Sequence, residues 1–175
     1  KLSERYAIPE ICPICGHETL LNVSLNDKAH STVTLQCDNP DCSAKQVGRF
    51  VHFCERDCMN LEGWSRKTIE KFVERGFITE YADFWHLDRY KDQIIAMDGF
   101  GERSYQKLVD AAEKARTTSF VPFIHALSIP NIGKGQAKLI YNYFFDKMSN
   151  NENVFDLFTD ALKSGFDFTD IDGIG

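Results

Sequence analysis

Four of the six cysteines fall into two close pairs, Cys12 with Cys15 and Cys37 with Cys42, with twenty-one residues between the pairs. A segment of about thirty residues cannot bury enough apolar surface to hold itself folded, so it needs a cross-link. The spacings C-x2-C and C-x4-C let each pair converge through one tight turn, and two such pairs supply the four thiolates of a tetrahedral zinc shell. Turn-forming residues stand where those turns need them: Pro13 and Gly16 at the first pair, Asn39 and Pro40 inside the second. Disulfides or free thiols are the alternative use of the same side chains. Between the pairs, residues 19–25 and 32–37 alternate polar with apolar around Asn26-Asp27-Lys28, which predicts a β-hairpin carrying the two knuckles. Bound zinc would then supply most of the stability of this module. Four thiolates close the shell, so the expected role is structural and not catalytic. His17 and His30 are assigned to exposed loops rather than to the metal.

The remaining cysteines, Cys54 and Cys58, lie four apart in a stretch, 43–58, whose apolar Val47, Phe50 and Val51 predict a helix. They read as small buried hydrophobes. A second metal pair made from them finds no further ligands of matching spacing in the sequence.

The chain has 175 residues, of which 43% are hydrophobic and 26% charged, a composition that folds. Two small domains are expected: a four-cysteine zinc module at 1–43 and a helical domain at 44–175. The longest uncharged run, 117–133, is broken by Pro122, His125, Pro130 and Asn131 and is too short to span a bilayer. No membrane segment is expected, and no cationic n-region followed by an apolar h-region opens the chain. It starts at Lys1 without an initiator Met and is read as a piece of a longer protein. A net charge of -6 repels a polyanion unless positive groups are gathered locally. From 43 to 75, seven Lys or Arg stand against five Asp or Glu, a small surplus that fits local contact only.

Beyond the cysteine module one short segment recurs at intervals of roughly thirty to forty residues, as a repeat architecture would produce. The four copies are Leu61-Glu62-Gly63-Trp64-Ser65, Met97-Asp98-Gly99-Phe100-Gly101, Ile129-Pro130-Asn131-Ile132-Gly133 and Ile171-Asp172-Gly173-Ile174-Gly175. An amphipathic helical pattern follows each of the first three: Ile69, Phe72 and Val73; Tyr105, Leu108, Val109 and Ala112; Ala137, Ile140, Tyr141 and Phe144. Helices are also expected before the second, third and fourth copies, at 88–97, 119–128 and 151–164. The fourth copy stops at Gly175 without a second helix.

A turn of this kind lets the backbone take a positive φ, plugs its middle apolar residue between two helices, and opens the next helix at its last residue. The first amides of that helix then lack carbonyl partners and, with the helix dipole, form an anion site that a residue without Cβ leaves open to phosphate. The candidate DNA-contacting residues are Gly63, Ser65, Arg66 and Lys67; Gly99, Gly101, Arg103 and Lys107; Gly133, Lys134 and Lys138; and Gly173 and Gly175. Their basic members would add charge-assisted contacts. Such contacts hold the backbone without reading bases. Phe84, Trp85, Phe144, Phe145 and Phe158 are assigned to packing, because aromatic residues at helical spacing ordinarily fill a core.

In order, Cys12-Pro13-Ile14-Cys15-Gly16, Cys37-Asp38-Asn39-Pro40-Asp41-Cys42, Phe50-Val51-His52-Phe53 and Met59-Asn60-Leu61-Glu62-Gly63 closely resemble the bacterial NAD-dependent DNA ligases just after their OB domain. Gly99-Phe100-Gly101-Glu102-Arg103-Ser104 and Ala126-Leu127-Ser128-Ile129-Pro130-Asn131-Ile132-Gly133 look like that family's second and third helical hairpins, so the resemblance covers nearly the whole chain. Ser65 stands where the family commonly has Gly, and Ser43 and Lys45 replace its usual Pro and Gln. Trp64 replaces the usual small aliphatic plug, and the sequence leaves it either buried or at the DNA surface.

The resemblance implies a mainly α fold: a tandem helix-hairpin-helix domain behind a small four-cysteine zinc-ribbon-like module with a short β-hairpin. It implies that the parent enzyme seals nicks. NAD adenylates a lysine, AMP passes to the 5'-phosphate, and the 3'-hydroxyl displaces it. The lysine, the NAD pocket and the Mg2+ ligands would lie in upstream adenylation and OB domains, with a BRCT domain downstream, so this fragment should be inactive alone. Its implied partner is nicked double-stranded DNA, held without sequence preference during replication and repair. A cytoplasmic, nucleoid-associated monomer is expected. Two other classes of function fit helix pairs behind a zinc module. One is a protein-interaction scaffold. The other is a DNA-repair nuclease subunit, for which no carboxylate cluster here obviously supplies metal-dependent hydrolysis.

Overall fold

A computed structural model of the chain describes residues 8–25, 31–149 and 152–174. The chain divides into two compact units, Lys1–Gly48 and Arg49–Gly175. Among the described residues the fold is mainly α, with one two-stranded antiparallel sheet, as expected from the sequence.

In the first unit, β1 (Thr19–Leu25) pairs with β2 (Ser31–Cys37) from Thr19 opposite Cys37 to Leu25 opposite Ser31. The expected turn at Asn26-Asp27-Lys28, and His30 with it, lie outside the described residues. Alternate residues share a face of a strand. Leu21 and Val23 therefore align with Leu35 and Val33, yet all four are exposed. The buried apolar residues of this unit, among those described, are Cys12, Cys42 and Val47. Among the described residues of this unit, two of the four cysteines are buried while the apolar side chains of the sheet are exposed.

The second unit begins within α1 (Ser43–Cys54). The expected helix at 43–58 is four residues too long. After Cys54 the chain turns back, and the amides of Met59 and Leu61 take the carbonyls of Phe53 and Cys54 at 3.1 Å each. Asn60, with φ 51°, makes that reversal; an Asn accepts the left-handed region at little cost. Next come α2 (Arg66–Glu74), two 3-10 turns (Tyr81–Trp85 and Leu87–Tyr90), α3 (Lys91–Ile95) and α4 (Glu102–Ala115). The helix expected at 88–97 is thus split between a 3-10 turn and the short α3. The chain continues through α5 (Phe120–Ala126), α6 (Lys134–Phe145), α7 (Val154–Ser164) and a 3-10 turn at Phe168–Asp170.

Phe53, Ile69, Phe72, Ile78, Phe84, Leu87 and Ile94 are almost wholly buried. Trp64 joins them at 6% exposure, with its ring against Phe72 and Phe84 and its Nε1 donating to the Leu108 carbonyl at 3.2 Å, which settles its placement. A second cluster gathers Phe120, Ile124, Ala137, Ile140, Phe144, Val154, Phe158 and Ile171. Phe84, Phe144 and Phe158 pack as expected, and half-buried Trp85 donates its Nε1 to the Ala112 carbonyl at 2.6 Å. Phe145 does not: it is 49% exposed, because its neighbour Phe144 already faces the core and one residue further along a helix points a quarter-turn away. Its ring stacks on Tyr141 instead. No helix among the described residues is long and apolar enough to cross a membrane.

Candidate functional site

The four repeated segments adopt one turn. In each, the amide of the fourth residue donates to the carbonyl of the first: Trp64 to Leu61 at 3.3 Å, Phe100 to Met97 at 3.0 Å, Ile132 to Ile129 at 3.0 Å and Ile174 to Ile171 at 2.9 Å. The third residue has positive φ every time, 88° at Gly63, 80° at Gly99, 63° at Asn131 and 83° at Gly173. A hydrogen-bonded turn with a left-handed third residue is the type II pattern, in which Gly or Asn belongs at that place and Pro, here Pro130, suits the one before. Asn131 takes the place that glycine holds in the other three copies.

The fifth residue is different in kind. Ser65, Gly101 and Gly133 are the N-caps of α2, α4 and α6, with φ of -73°, -168° and -86° that any residue can adopt. Gly175, the fourth counterpart, lies outside the described residues. Glycine at 101 and 133 is therefore not demanded by backbone conformation. What it leaves is room: a Cβ at Gly101 would meet nothing within 4 Å, and one at Gly133 only the Gln136 Oε1 of its own helix at 3.3 Å.

The first amides of each of these helices have no intrahelical acceptor. At α2 the Ser65 hydroxyl takes one of them, the Thr68 N–H, at 3.1 Å. At α4 and α6 the cap glycines have no side chain to do so. There, Ser104 Oγ and Gln136 Oε1 reach back to accept the N–H of Gly101 and of Gly133, at 2.9 and 3.2 Å. The amides that follow point outward along the helix dipole. α4 and α6 thus present more open donors than α2.

Arg66, Lys67, Arg103, Lys107, Lys134 and Lys138 are all exposed. Arg66 lies 3.8 Å from Glu70, and Lys134 is 3.2 Å from Asp57. Lys107 is not confined to its own repeat: with Asn60, Glu62, Gly63 and Lys114 it lines a groove of about 420 Å³. The Trp64–Leu108 hydrogen bond sets α4 against the first turn in this way, and a Cβ at Gly63 would lie 3.8 Å from Leu108 Cδ2. Gly173 stands similarly to α6, where a Cβ would come within 3.0 Å of Leu139 Cδ1. Lys71, whose Nζ donates to the Asp98 carbonyl at 3.3 Å over the Phe100 ring, joins α2 to the second turn. Sequence reading missed Lys71 and Lys114, although they stand four and seven residues after Lys67 and Lys107, on the same helix faces. Glu62 and Asp110 also line the groove, so its charge is mixed.

In the first unit the sulfurs of Cys12, Cys15, Cys37 and Cys42 lie within 4.8 Å of one another. Two tight turns place them. Gly16, at φ 72°, closes the first through its N–H to the Cys12 carbonyl at 2.9 Å, and Asn39 Oδ1 accepts from Asp41 N at 2.9 Å in the second. Cys12 is 3.9 Å from Cys42, and Cys15 is 3.4 Å from Cys37. Metal–sulfur bonds of about 2.3 Å at tetrahedral angles separate two sulfurs by about 3.8 Å. The cysteines are free of disulfides, and this group can hold a metal ion. The backbone N–H of His17 holds the Cys15 thiol down to about 6, while burial pushes Cys37 up to about 12. The amides of Cys15 and Ile14 hold Cys12 below its ordinary value as well. Amides aimed at sulfur favour thiolates, the state in which cysteine binds a metal. His17 is exposed, with Nδ1 3.2 Å from the Cys15 carbonyl, and stands outside the sulfur group.

No protein-family model matches the chain. It is 45% identical over 146 residues to a protein named DNA ligase from Lachnoclostridium phytofermentans, covering 82% of this chain and 22% of that protein. It is 42% identical over 148 residues to a DNA ligase from Ruminiclostridium cellulolyticum, covering 83% and 22%, and 33% identical over 145 residues to one from Natranaerobius thermophilus, covering 83% and 20%. The chain spans about a fifth of the length of the relatives it matches. Across the residues that align, this chain is homologous to a segment of the bacterial DNA ligases.

Proposed function

We propose that the chain is the zinc-binding and helix-hairpin-helix part of an NAD-dependent DNA ligase, and that it grips the phosphates of nicked duplex DNA while other domains of the same protein carry out the chemistry. The observation that carries this reading is the fourfold turn, three copies of which open a helix, with open space beside the cap Gly101 and only Gln136 Oε1 near the cap Gly133, in a chain whose relatives are named DNA ligase. Amides at a helix start and flanking cations suit phosphate, and they recognise it at any sequence, as sealing a nick wherever it falls requires. Gly101 with Arg103 and Gly133 with Lys134 and Lys138 are the strongest contacts on this reading. Gly63 and Lys107 act together across their shared groove, Gly99 and Gly173 shape their turns, and Gly175 would open the fourth site. Ser65 makes the first hairpin the weaker, because its hydroxyl already occupies an amide.

Cys12, Cys15, Cys37 and Cys42 would hold zinc, whose contribution is structural: it fixes the two knuckles and so the joint to the preceding domain. NAD and Mg2+ are used by upstream adenylation and OB domains, with a BRCT domain after the hairpins, so the fragment alone seals nothing. Replication and repair in the bacterial cytoplasm, on the nucleoid and as a monomer, are the setting this implies.

The test is the complete ligase carrying Gly101→Ala and Gly133→Ala. Neither change strains the backbone, but each puts a methyl group where a phosphate oxygen would approach. Self-adenylation by NAD, read as an AMP mass adduct that ATP does not produce, should be unchanged. Affinity for nicked duplex should fall about tenfold per site, the loss of one charge-assisted hydrogen bond. Unchanged DNA affinity would instead favour a protein-binding scaffold, and an absent NAD adduct would remove the ligase reading.

A further inference from the structure

A second group of metal-ligating side chains lies in the second unit, apart from the four-sulfur group. After α1 ends, the reversal through Glu55 returns Cys58 toward the last turn of the helix, where it is 3% exposed. Its Sγ lies 3.6 Å from His52 Nε2. His125, in the last turn of α5, brings a third donor from a distant part of the chain. One ligand atom from each of His52, Cys58 and His125 lies within 4.8 Å of the other two. The two imidazoles meet edge to face, centroids 4.8 Å apart at 83°.

We propose that His52, Cys58 and His125 form a second metal site, for zinc or another late first-row divalent ion, with a fourth position left for water. Three observations carry it. A tetrahedral ion bonded to sulfur at about 2.3 Å and to nitrogen at about 2.05 Å holds those atoms about 3.6 Å apart. Cys58 Sγ is already 3.6 Å from His52 Nε2, and since it is also 3.9 Å from Nδ1, the imidazole would turn to aim Nε2 at the ion. Behind the His52 ring, Glu55 Oε2 sits 3.1 Å from Nδ1. Once Nε2 gives up its contact with the His125 carbonyl, a carboxylate there would hold the proton on Nδ1 and free the Nε2 lone pair for a metal, as the usual outer partner of a metal-bound histidine does. The burial is graded, too: Cys58 is enclosed, whereas the His52 side chain is 29% exposed, so an ion and a water can reach the site. Two imidazoles and one thiolate are a borderline-soft set that disfavours magnesium and calcium.

Binding would release the Cys58 thiol proton to solvent, and the metal–Nε2 bond would replace the contact that Nε2 makes with the His125 carbonyl at 3.1 Å. The ion would tie the end of α1, just before the first repeated turn, to α5, just before the third. Close by, Asp57 is 3.2 Å from Lys134, which opens α6 just after the third turn.

The experiment is a zinc count by native mass spectrometry on the full 175-residue chain after dialysis against buffered micromolar free zinc, for the wild type, Cys58→Ser and His125→Gln. The wild type should hold two ions and each variant one fewer, with unchanged helix content by circular dichroism. Cys54→Ser, which alters a neighbouring cysteine outside the cluster, should keep the wild-type count. Equal counts in the wild type and both site variants overturn the proposal whatever their total. In that case His52 is a hydrogen-bonded bridge between Glu55 and the His125 carbonyl. The count involves no DNA, so its failure leaves the DNA-gripping reading standing, and the reverse holds as well.

Discussion

At the scale of single residues, the repeated turns separate two uses of glycine that the sequence presents as one. Gly99 sits at φ 80°, where a side chain is strained even though a Cβ there would meet nothing within 4 Å. Gly101, two residues on, is extended and equally uncrowded. Gly99→Ala should therefore cost about 1–2 kcal/mol, the left-handed penalty, and Gly101→Ala close to nothing, when both are compared by urea denaturation. Equal losses would mean that the two positions share a structural role and that Gly101 is not held open for a ligand. Asp83 makes a second residue-scale case. Burial raises its pKa, but the N–H and hydroxyl of Thr79, at 2.8 and 2.9 Å, and the Glu80 N–H, at 3.1 Å, outweigh that and hold it below the ordinary value, with Arg89 assisting. A depressed carboxylate stabilises the fold above its unfolded pKa of about 3.9, and that stability is lost as pH falls through the lower folded value. Asp83→Asn should thus be less stable than wild type at pH 7 by about 1 kcal/mol or more, with the gap closing below pH 4. A gap that stayed constant with pH would remove the carboxylate's charge from the account.

At the scale of elements, what could be read in advance was whatever local physics decides. The helices α2, α4 and α6 announce themselves by apolar periodicity behind a turn, and the cysteine knuckles by spacing and turn residues. The misses fall where tertiary contacts overrule local pattern. Helical periodicity carries on past Cys54, but the Phe53 and Cys54 carbonyls are claimed by amides from Met59 and Leu61, and nothing in a 3.6-residue period foresees that. Leu87 and Ile94 are both core residues, yet the expected helix is a 3-10 turn, Leu87–Tyr90, joined to five residues of helix, and apolar periodicity alone does not foresee that break. Site residues follow the same rule: Lys107 lies beside Gly63 and His125 beside Cys58 only through packing between elements. Trp64 is the contact that fixes the first of these pairings. It fills the space between α2, the 3-10 turn at Tyr81–Trp85 and α4, so Trp64→Ala should cost about 3–5 kcal/mol. Trp64→Phe keeps the ring but leaves the Leu108 carbonyl without its donor. It should cost less, about 1–2 kcal/mol, in chemical denaturation. A Phe variant as damaged as the Ala variant would place the energy in the hydrogen bond and not in the packing.

At the scale of the molecule, the two units differ in how much apolar surface they bury, and this decides how each should respond to a chelator. Arg49–Gly175 encloses two clusters of aromatic and aliphatic side chains, enough apolar surface for a core of its own. Lys1–Gly48 has little comparable. Its strands expose Leu20, Leu21, Val23, Val33 and Leu35, and what it buries among its described residues is Cys12, Cys42 and Val47. Burying those three side chains offsets only a few kcal/mol, against an ordering cost of about 1 kcal/mol or more for every residue fixed. The four sulfurs form a group that can hold a metal ion, and a bound ion would supply the difference. Stripping the chain with a strong chelator should therefore abolish amide protection along β1 and β2 in hydrogen exchange, while the interior amides of α4 and α6 stay protected. Zinc added back should restore the strands, a reversal that a disulfide-stapled module could not show. If β1 and β2 kept their protection after chelation, the sheet would have to be held by contacts beyond its own unit, and the four-cysteine group would lose its structural role.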